Sequence, residues 1–180
     1  MKINSKYYKF YQMQMDLKKI NLIEAKKVPG LIIRNYGPSD SGQLVKVFNL
    51  VFSGTNDPFP IITESDLGDL PSDRIIIAEI RNLVVGFLMC GIKNIEGKMV
   101  GVIGYLGVLK EHRRKGIATS LAVEAGKYFL QNRLTKIIAE VFYLSKDSYK
   151  FIEGFGFEQT ATIRVPGEEI ERSLFRVKPP

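Results

Sequence analysis

Between residues 104 and 119 the chain reads Gly-Tyr-Leu-Gly-Val-Leu-Lys-Glu-His-Arg-Arg-Lys-Gly-Ile-Ala-Thr. A glycine-bearing apolar run gives way to a basic loop, and Gly116 then opens an amphipathic stretch. A helix start offers unpaired N–H groups and about half a positive charge. Arg113, Arg114 and Lys115 add full charges beside it. Gly116 lets backbone donors approach a ligand closely, and Ala118 keeps the next turn small. Donors, positive potential and no obstructing side chain are what a pyrophosphate requires, so the segment Arg113 to Thr119, with Ile117 inside it, reads as an anion cradle.

Other reactive side chains are scarce. The single histidine, His112, and the single cysteine, Cys90, cannot build a structural zinc site or a two-histidine motif. No functional metal is expected. His112 reads as a bystander in the exposed loop, and Cys90 as a small core hydrophobe. One cysteine forms no internal disulfide and fits a reducing cytoplasm. The polar N-terminus does not look like a signal peptide, and no apolar run reaches the ~18 residues of a membrane span.

The elements around the cradle follow from periodicity. At 180 residues, 45% hydrophobic and 25% charged, the chain has the size and composition of one globular domain. Residues 31–34 read as a strand. A helix after Pro38, capped by Ser39 or Asp40, carries Leu44, Val47, Phe48 and Val51 on one face. Residues 53–60 form a loop and 64–70 a short helix. Three strands at 74–80, 83–92 and 99–108 make an antiparallel meander with turns at Arg81-Asn82 and around Gly97. Gly101, Gly104 and Gly107 mark a bulge or close backbone approach in the third. A helix from Gly116 to about Asn132 buries Ile117, Leu121, Ala125 and Phe129. The strand 136–144 returns parallel to 99–108 through a right-handed crossover. A short helix follows, with Ser145 as N-cap, and then a final hairpin of 157–164 with 171–177 around Pro166-Gly167.

The cradle's position between a meander and an amphipathic helix argues against a dinucleotide-binding βαβ start. The segment Arg113-Arg114-Lys115-Gly116-Ile117-Ala118 instead resembles the signature of the GCN5-related N-acetyltransferase (GNAT) superfamily: Arg or Gln, two residues, Gly, one residue, Gly or Ala. The element order over residues 31 to 180 is similar too, as is the helix ending Phe155-Gly156-Phe157. The resemblance implies a mixed α/β fold whose mostly antiparallel sheet has a parallel, splayed central strand pair and flanking helices. It implies an acetyl-CoA-dependent N-acetyltransferase acting on a primary amine by direct attack in a ternary complex. The backbone of Leu106, Gly107 and Val108 would pair with the pantetheine arm, with an N–H near Val108 stabilising the oxyanion. Arg113 to Thr119 would hold the pyrophosphate. Ser145 and Ser148, at the head of the last helix, would face the cofactor.

Two departures concern catalysis. Many family members carry a glutamate on the strand that here reads Met99 to Val108, which has no carboxylate. Many carry a tyrosine at the position of Ile152, and an asparagine at that of Ser145. Tyr149, one turn earlier on the same stripe, is the substitute proton donor. An alkyl ammonium has a pKa near 10.4 but an α-ammonium only about 8, so the missing groups point to an α-amine, a protein N-terminus or small metabolite. The alternative is an acyl-CoA-binding protein with a regulatory role and little turnover. Glu140 reads as a solvated or paired strand residue, and Tyr105 either lines the cleft or packs in the core. Asp57, Glu64, Asp66 and Asp69 form an exposed acidic surface that could hold a cationic acceptor.

The net charge of +7 is uneven, because residues 1–30 hold seven lysines against Asp16 and Glu24. The chain therefore divides into a basic N-terminal extension, 1–30, and an acetyltransferase domain, 31–180. The extension reads as a strand and a short helix that either cover a sheet edge or join a homodimer. Its lysines are spaced along a solvated surface, so nucleic acid is not an expected partner.

Overall fold

The computed structural model describes residues 7–19, 24–68 and 74–172. The strands are β1 (Tyr7–Asp16), β2 (Leu31–Asn35), β3 (Ile75–Ile80), β4 (Leu83–Ile95), β5 (Lys98–Val108), β6 (Lys136–Phe142) and β7 (Glu158–Pro166). The helices are α1 (Ser41–Phe52), α2 (Ile117–Gln131), α3 (Lys146–Gly154) and α4 (Gly167–Arg172). All seven strands join one sheet in the order β2-β3-β4-β5-β6-β1-β7. Among the described residues no helix is long and apolar enough to cross a membrane.

The meander forms as its turns dictate. Arg81 and Asn82, at φ 52 and 63, make the two-residue turn between β3 and β4, and Glu96-Gly97, at φ 52 and 79, makes the next. β4 is buried from Val84 to Gly91 because helices cover both of its faces. On one face α2 packs Ile117, Leu121, Ala125 and Phe129 over Leu88, Ile137 and Ala139. On the other, α1 packs Leu44, Val47, Phe48 and Val51 over Ile75, Ile77 and Phe87. Both stripes are those the 3.6-residue period marks. Asp40 precedes α1 but makes no side-chain cap; its carboxylate is taken by Arg34, at 2.8 and 2.9 Å, and by the Gly37 N–H at 2.8 Å. The expected helix at 64–70 is one tight turn, Glu64–Leu67.

Two departures from the sequence reading concern the chain ends. β1 does not lie outside the domain. It runs antiparallel to β6 on one side, from Phe10↔Phe142 to Asp16↔Lys136, and to β7 on the other, from Tyr7↔Pro166 to Gln14↔Glu158. Met13 is fully buried, and Phe10, Met15 and Leu17 nearly so. A division at residue 30 therefore does not coincide with any division of the sheet. The expected hairpin turn at Pro166-Gly167 is not formed: beyond Pro166 the chain turns into α4, whose first turn carries Glu168 and Glu169, a favourable placement at a helix N-terminus. Ile170 is buried against Phe10, Phe142 and Val165. Residues 173–177 of that expected strand lie outside the described residues.

Candidate active site

The only parallel pair among the described residues, β5 and β6, is paired over just three positions, Gly101↔Ile137, Val102↔Ile138 and Ile103↔Ala139. Beyond them the strands part. β5 has an extra residue there: Met89 pairs with Tyr105 and Cys90 with Ile103, leaving Gly104 bulged. A bulge bends its strand and raises its twist, turning β5 away from β6 at this level. β6 meanwhile stays paired with β1 through Phe142. The result is an open edge along Gly104 to Val108.

The direction of that edge's polar groups follows from one hydrogen bond. The Leu109 N–H donates to the Val85 carbonyl of β4 at 2.9 Å. Successive N–H groups of a strand point to opposite sides, so those of Val108 and Leu106 point out of the open edge. Arg113 Nε donates to the Val108 carbonyl at 2.8 Å, leaving the Val108 N–H as the outward donor beside a cation. A Cβ on Gly107 would lie 2.8 Å from the Phe87 ring and 2.9 Å from Val51, so the edge is held tightly against the α1 layer.

The cradle sits where β5 ends. Gly116 has φ 94 and serves as N-cap of α2. The first helical bond is Ser120 N–H to Gly116 O, 3.0 Å, so the N–H groups of Ile117, Ala118 and Thr119 have no acceptor within the helix. Arg114, at φ 59, is exposed. Lys115 Nζ donates to the Glu111 carbonyl at 2.9 Å, bracing the loop. An apolar cleft lies beside the open edge; Leu106, Ala122, Phe151, Ile152 and Phe155 are among its lining residues. Donors at a helix start, an open strand edge and an apolar cleft along that edge fit a molecule that has a pyrophosphate and a thin amide-bearing arm.

The last helix divides its expected stripe. Ile152 lines the cleft. Tyr149 does not: its ring packs edge-on against Tyr11 of β1, 5.6 Å between centroids, and its hydroxyl donates to Gln159 Oε1 of β7 at 3.3 Å. β1 and β7 lie on the far side of β6 from the opening, so the structure directs this hydroxyl away from the splayed pair. Ser148 is exposed. Ser145 precedes α3 without capping it; its hydroxyl donates to the Asp57 carboxylate of the loop after α1. That contact spans 88 residues, and no local pattern announces it.

On the opposite face, the loop after α1 closes over the opening. Phe59 lies 4.9 Å from both Phe52 and Tyr105, and also touches the cluster containing Phe142. Tyr105 is buried here among aromatic rings. Glu140 is the first β6 residue past the last pair with β5; it is exposed, on the face opposite Ala139 and Val141. Glu64 accepts a hydrogen bond from Ser41, and Asp66 accepts from the Thr63 N–H and hydroxyl, which hold its carboxyl below the usual carboxylate range. Asp69 lies outside the described residues. His112 is half-buried in the turn before Arg113, and the Cys90 thiol is buried.

Solved structures share this fold. A GCN5-related N-acetyltransferase from Sphaerobacter thermophilus superposes with a TM-score of 0.68 at 17% identity over 89% of this chain; the chain spans about half (52%) of that protein. Naa50 of Arabidopsis thaliana, in complex with the bisubstrate analogue CoA-Ac-MVNAL, superposes with a TM-score of 0.59 at 24% identity, covering 74% of this chain and 87% of its own. Aminoglycoside N-acetyltransferase AAC(6')-Iy, in complex with CoA, gives 0.62 at 18% identity over 75% of this chain and 94% of its own. No curated protein matches the sequence. The model of the acetyltransferase (GNAT) family matches residues 44–157, from α1 through α3, which is more than half of the chain, and the protein belongs to that family.

Proposed function

We propose that the protein is an acetyl-CoA-dependent N-acetyltransferase whose acceptor is a primary amine, a protein N-terminus or a small metabolite. The open edge of β5 carries this reading, because it presents outward backbone groups near a helix start, with an apolar cleft alongside Leu106. Leu106, Gly107 and Val108 pair with the pantetheine arm. The backbone of Gly116 to Thr119 holds the pyrophosphate, with Arg114 adding charge and Arg113 and Lys115 bracing the loop. Ser145 ties the acceptor-side loop to the head of α3, and Ser148 lies beside it.

In the reaction the amine nitrogen attacks the thioester carbonyl within a ternary complex. A C–N bond forms, the C–S bond breaks, and the thiolate leaves. The Val108 N–H is aimed where the carbonyl oxygen gains charge, a contribution of about 3–4 kcal/mol for one well-placed donor. By register Glu140 is the first carboxylate beyond the paired part of β6, and it takes the ammonium proton directly or through water. Relatives solved with a peptide-bearing CoA analogue and as an aminoglycoside acetyltransferase support an amine acceptor.

Calorimetry with acetyl-CoA, followed by thiol release against a panel of amines and peptides, tests this. Gly116→Glu is a poor probe, since at φ 94 any side chain strains the backbone. Arg114→Glu exchanges one non-glycine side chain for another at φ 59 and reverses one exposed charge. It should weaken acetyl-CoA about tenfold without lowering the melting temperature. Wild-type protein that binds no acetyl-CoA sinks the reading. A second reading, an acyl-CoA-binding protein with a regulatory role, draws on the carboxylate-free β5 and on Tyr149 being engaged elsewhere. It predicts tight binding with no thiol release from any amine.

A further inference from the structure

We propose that Lys26, in the segment between β1 and β2, is part of the cofactor site and contacts the pyrophosphate; this rests on the acetyl-CoA reading above. The sequence places Lys26 among spaced, solvated lysines far from the signature. The structure sets its backbone against the cradle. A Cβ built on Gly116 would lie 3.8 Å from Lys26 Cβ, 3.9 Å from the Lys26 carbonyl oxygen and 3.7 Å from Val28 Cγ2. Val28 anchors this contact by packing on the core that contains Ile117, the first residue of α2. The Leu31 N–H closes the following turn on the Val28 carbonyl at 3.2 Å, with Gly30 at φ 70. Lys26 is thus held at its base while its side chain remains exposed.

The cradle has use for this charge. Of the three signature cations, Arg113 turns its Nε to the Val108 carbonyl, and Lys115 turns its ammonium to the Glu111 carbonyl. Both contacts brace the loop's shape. A dianionic pyrophosphate at the N–H groups of Ile117 to Thr119 then has Arg114 on one side and Lys26 across Gly116. The four-carbon stem of a lysine carries its ammonium past a glycine without obstruction. Gly116 is required by its positive φ at the helix start, and the β1–β2 segment lies at ordinary contact distance from it.

The test compares Lys26→Ala, Lys26→Arg and Lys27→Ala by calorimetry with CoA, 3′-dephospho-CoA and phosphate-free S-acetylpantetheine. Lys26→Ala should weaken CoA and 3′-dephospho-CoA alike, by about five- to tenfold, as expected for one partly screened charge contact. S-acetylpantetheine should be unaffected, Lys26→Arg should recover most of the loss, and the difference should shrink in high salt. Equal CoA affinity in Lys26→Ala and wild type overturns the assignment, as does an equal loss in Lys27→Ala. A loss confined to CoA, with 3′-dephospho-CoA unchanged, overturns the pyrophosphate contact. Wild-type protein that binds neither nucleotide removes the acetyl-CoA reading itself, and the lysine's role with it.

Discussion

Met13→Ala separates a strand inside the domain from an appendage outside it. Met13 is fully buried on β1, between β6 and β7, in the cluster that contains Ile137, Ala139 and Phe129. Truncating a buried methionine to alanine loses the transfer free energy of the removed atoms and leaves a cavity, together costing about 2–5 kcal/mol. For a domain of this size each kcal/mol shifts the melting temperature by about 2–4 °C, so a fall of roughly 4–20 °C is expected. Gln14→Ala, one position along on the other face and half-exposed, should stay within about 0.5 kcal/mol of wild type. Thermal melts followed by circular dichroism, with urea titrations to confirm an unchanged slope, give both numbers. Deleting residues 1–16 removes Phe10 and Met15 as well and strips both β6 and β7 of a partner, so that protein should not melt cooperatively. If Met13→Ala melts within about 1 °C of wild type, or the deletion remains cooperative, the seat of β1 is wrong.

Tyr149→Phe should leave kcat within about threefold of wild type, because the hydroxyl donates to Gln159; Glu140→Gln should lower kcat about tenfold or more. A tenfold loss in Tyr149→Phe would return the proton-donor role to that residue. Asp40 tests the acid side of stability. Arg34, and then the Gly37 N–H, hold its carboxyl below the usual range, against the opposing effect of burial. Its contribution is therefore full above a pH of about 4 and is lost as pH falls through the lowered folded value. Asp40→Asn should cost about 1–3 kcal/mol at neutral pH and make melting less steep on acidification; an unchanged pH profile would show that the Arg34 cluster is not what acid disrupts.

Local pattern determined much of this protein. The meander was legible because turn residues that tolerate positive φ stand at Arg81-Asn82 and Glu96-Gly97, and each acts within four residues of chain. The stripes of α1 and α2 were legible because a helix repeats its buried face every 3.6 residues whatever it packs against. The start of α2 at Gly116 was legible because a helix start and its glycine are neighbours in sequence. Alternation in residues 11–17 marked a strand at the N-terminus, and one is there, but alternation says which side chains share a face, not which strand lies alongside. That β1 sits between β6 and β7 is decided by burial of Phe10, Met13 and Met15 and by pairing both of its edges, partners more than 100 residues away. The same distinction separates the rest. Helical spacing put Tyr149 near Ile152, but Tyr11 and Gln159, on strands brought beneath α3 by the sheet order, set where its hydroxyl goes. Ser145 was a natural N-cap until Asp57, from a loop across the opening, offered a charged acceptor. Lys26 was one of seven similar lysines until the path from β1 to β2 brought it against Gly116. Spacing along the chain sets conformation and face; which groups meet across the fold is settled by the tertiary arrangement that buries the apolar faces and satisfies the backbone together.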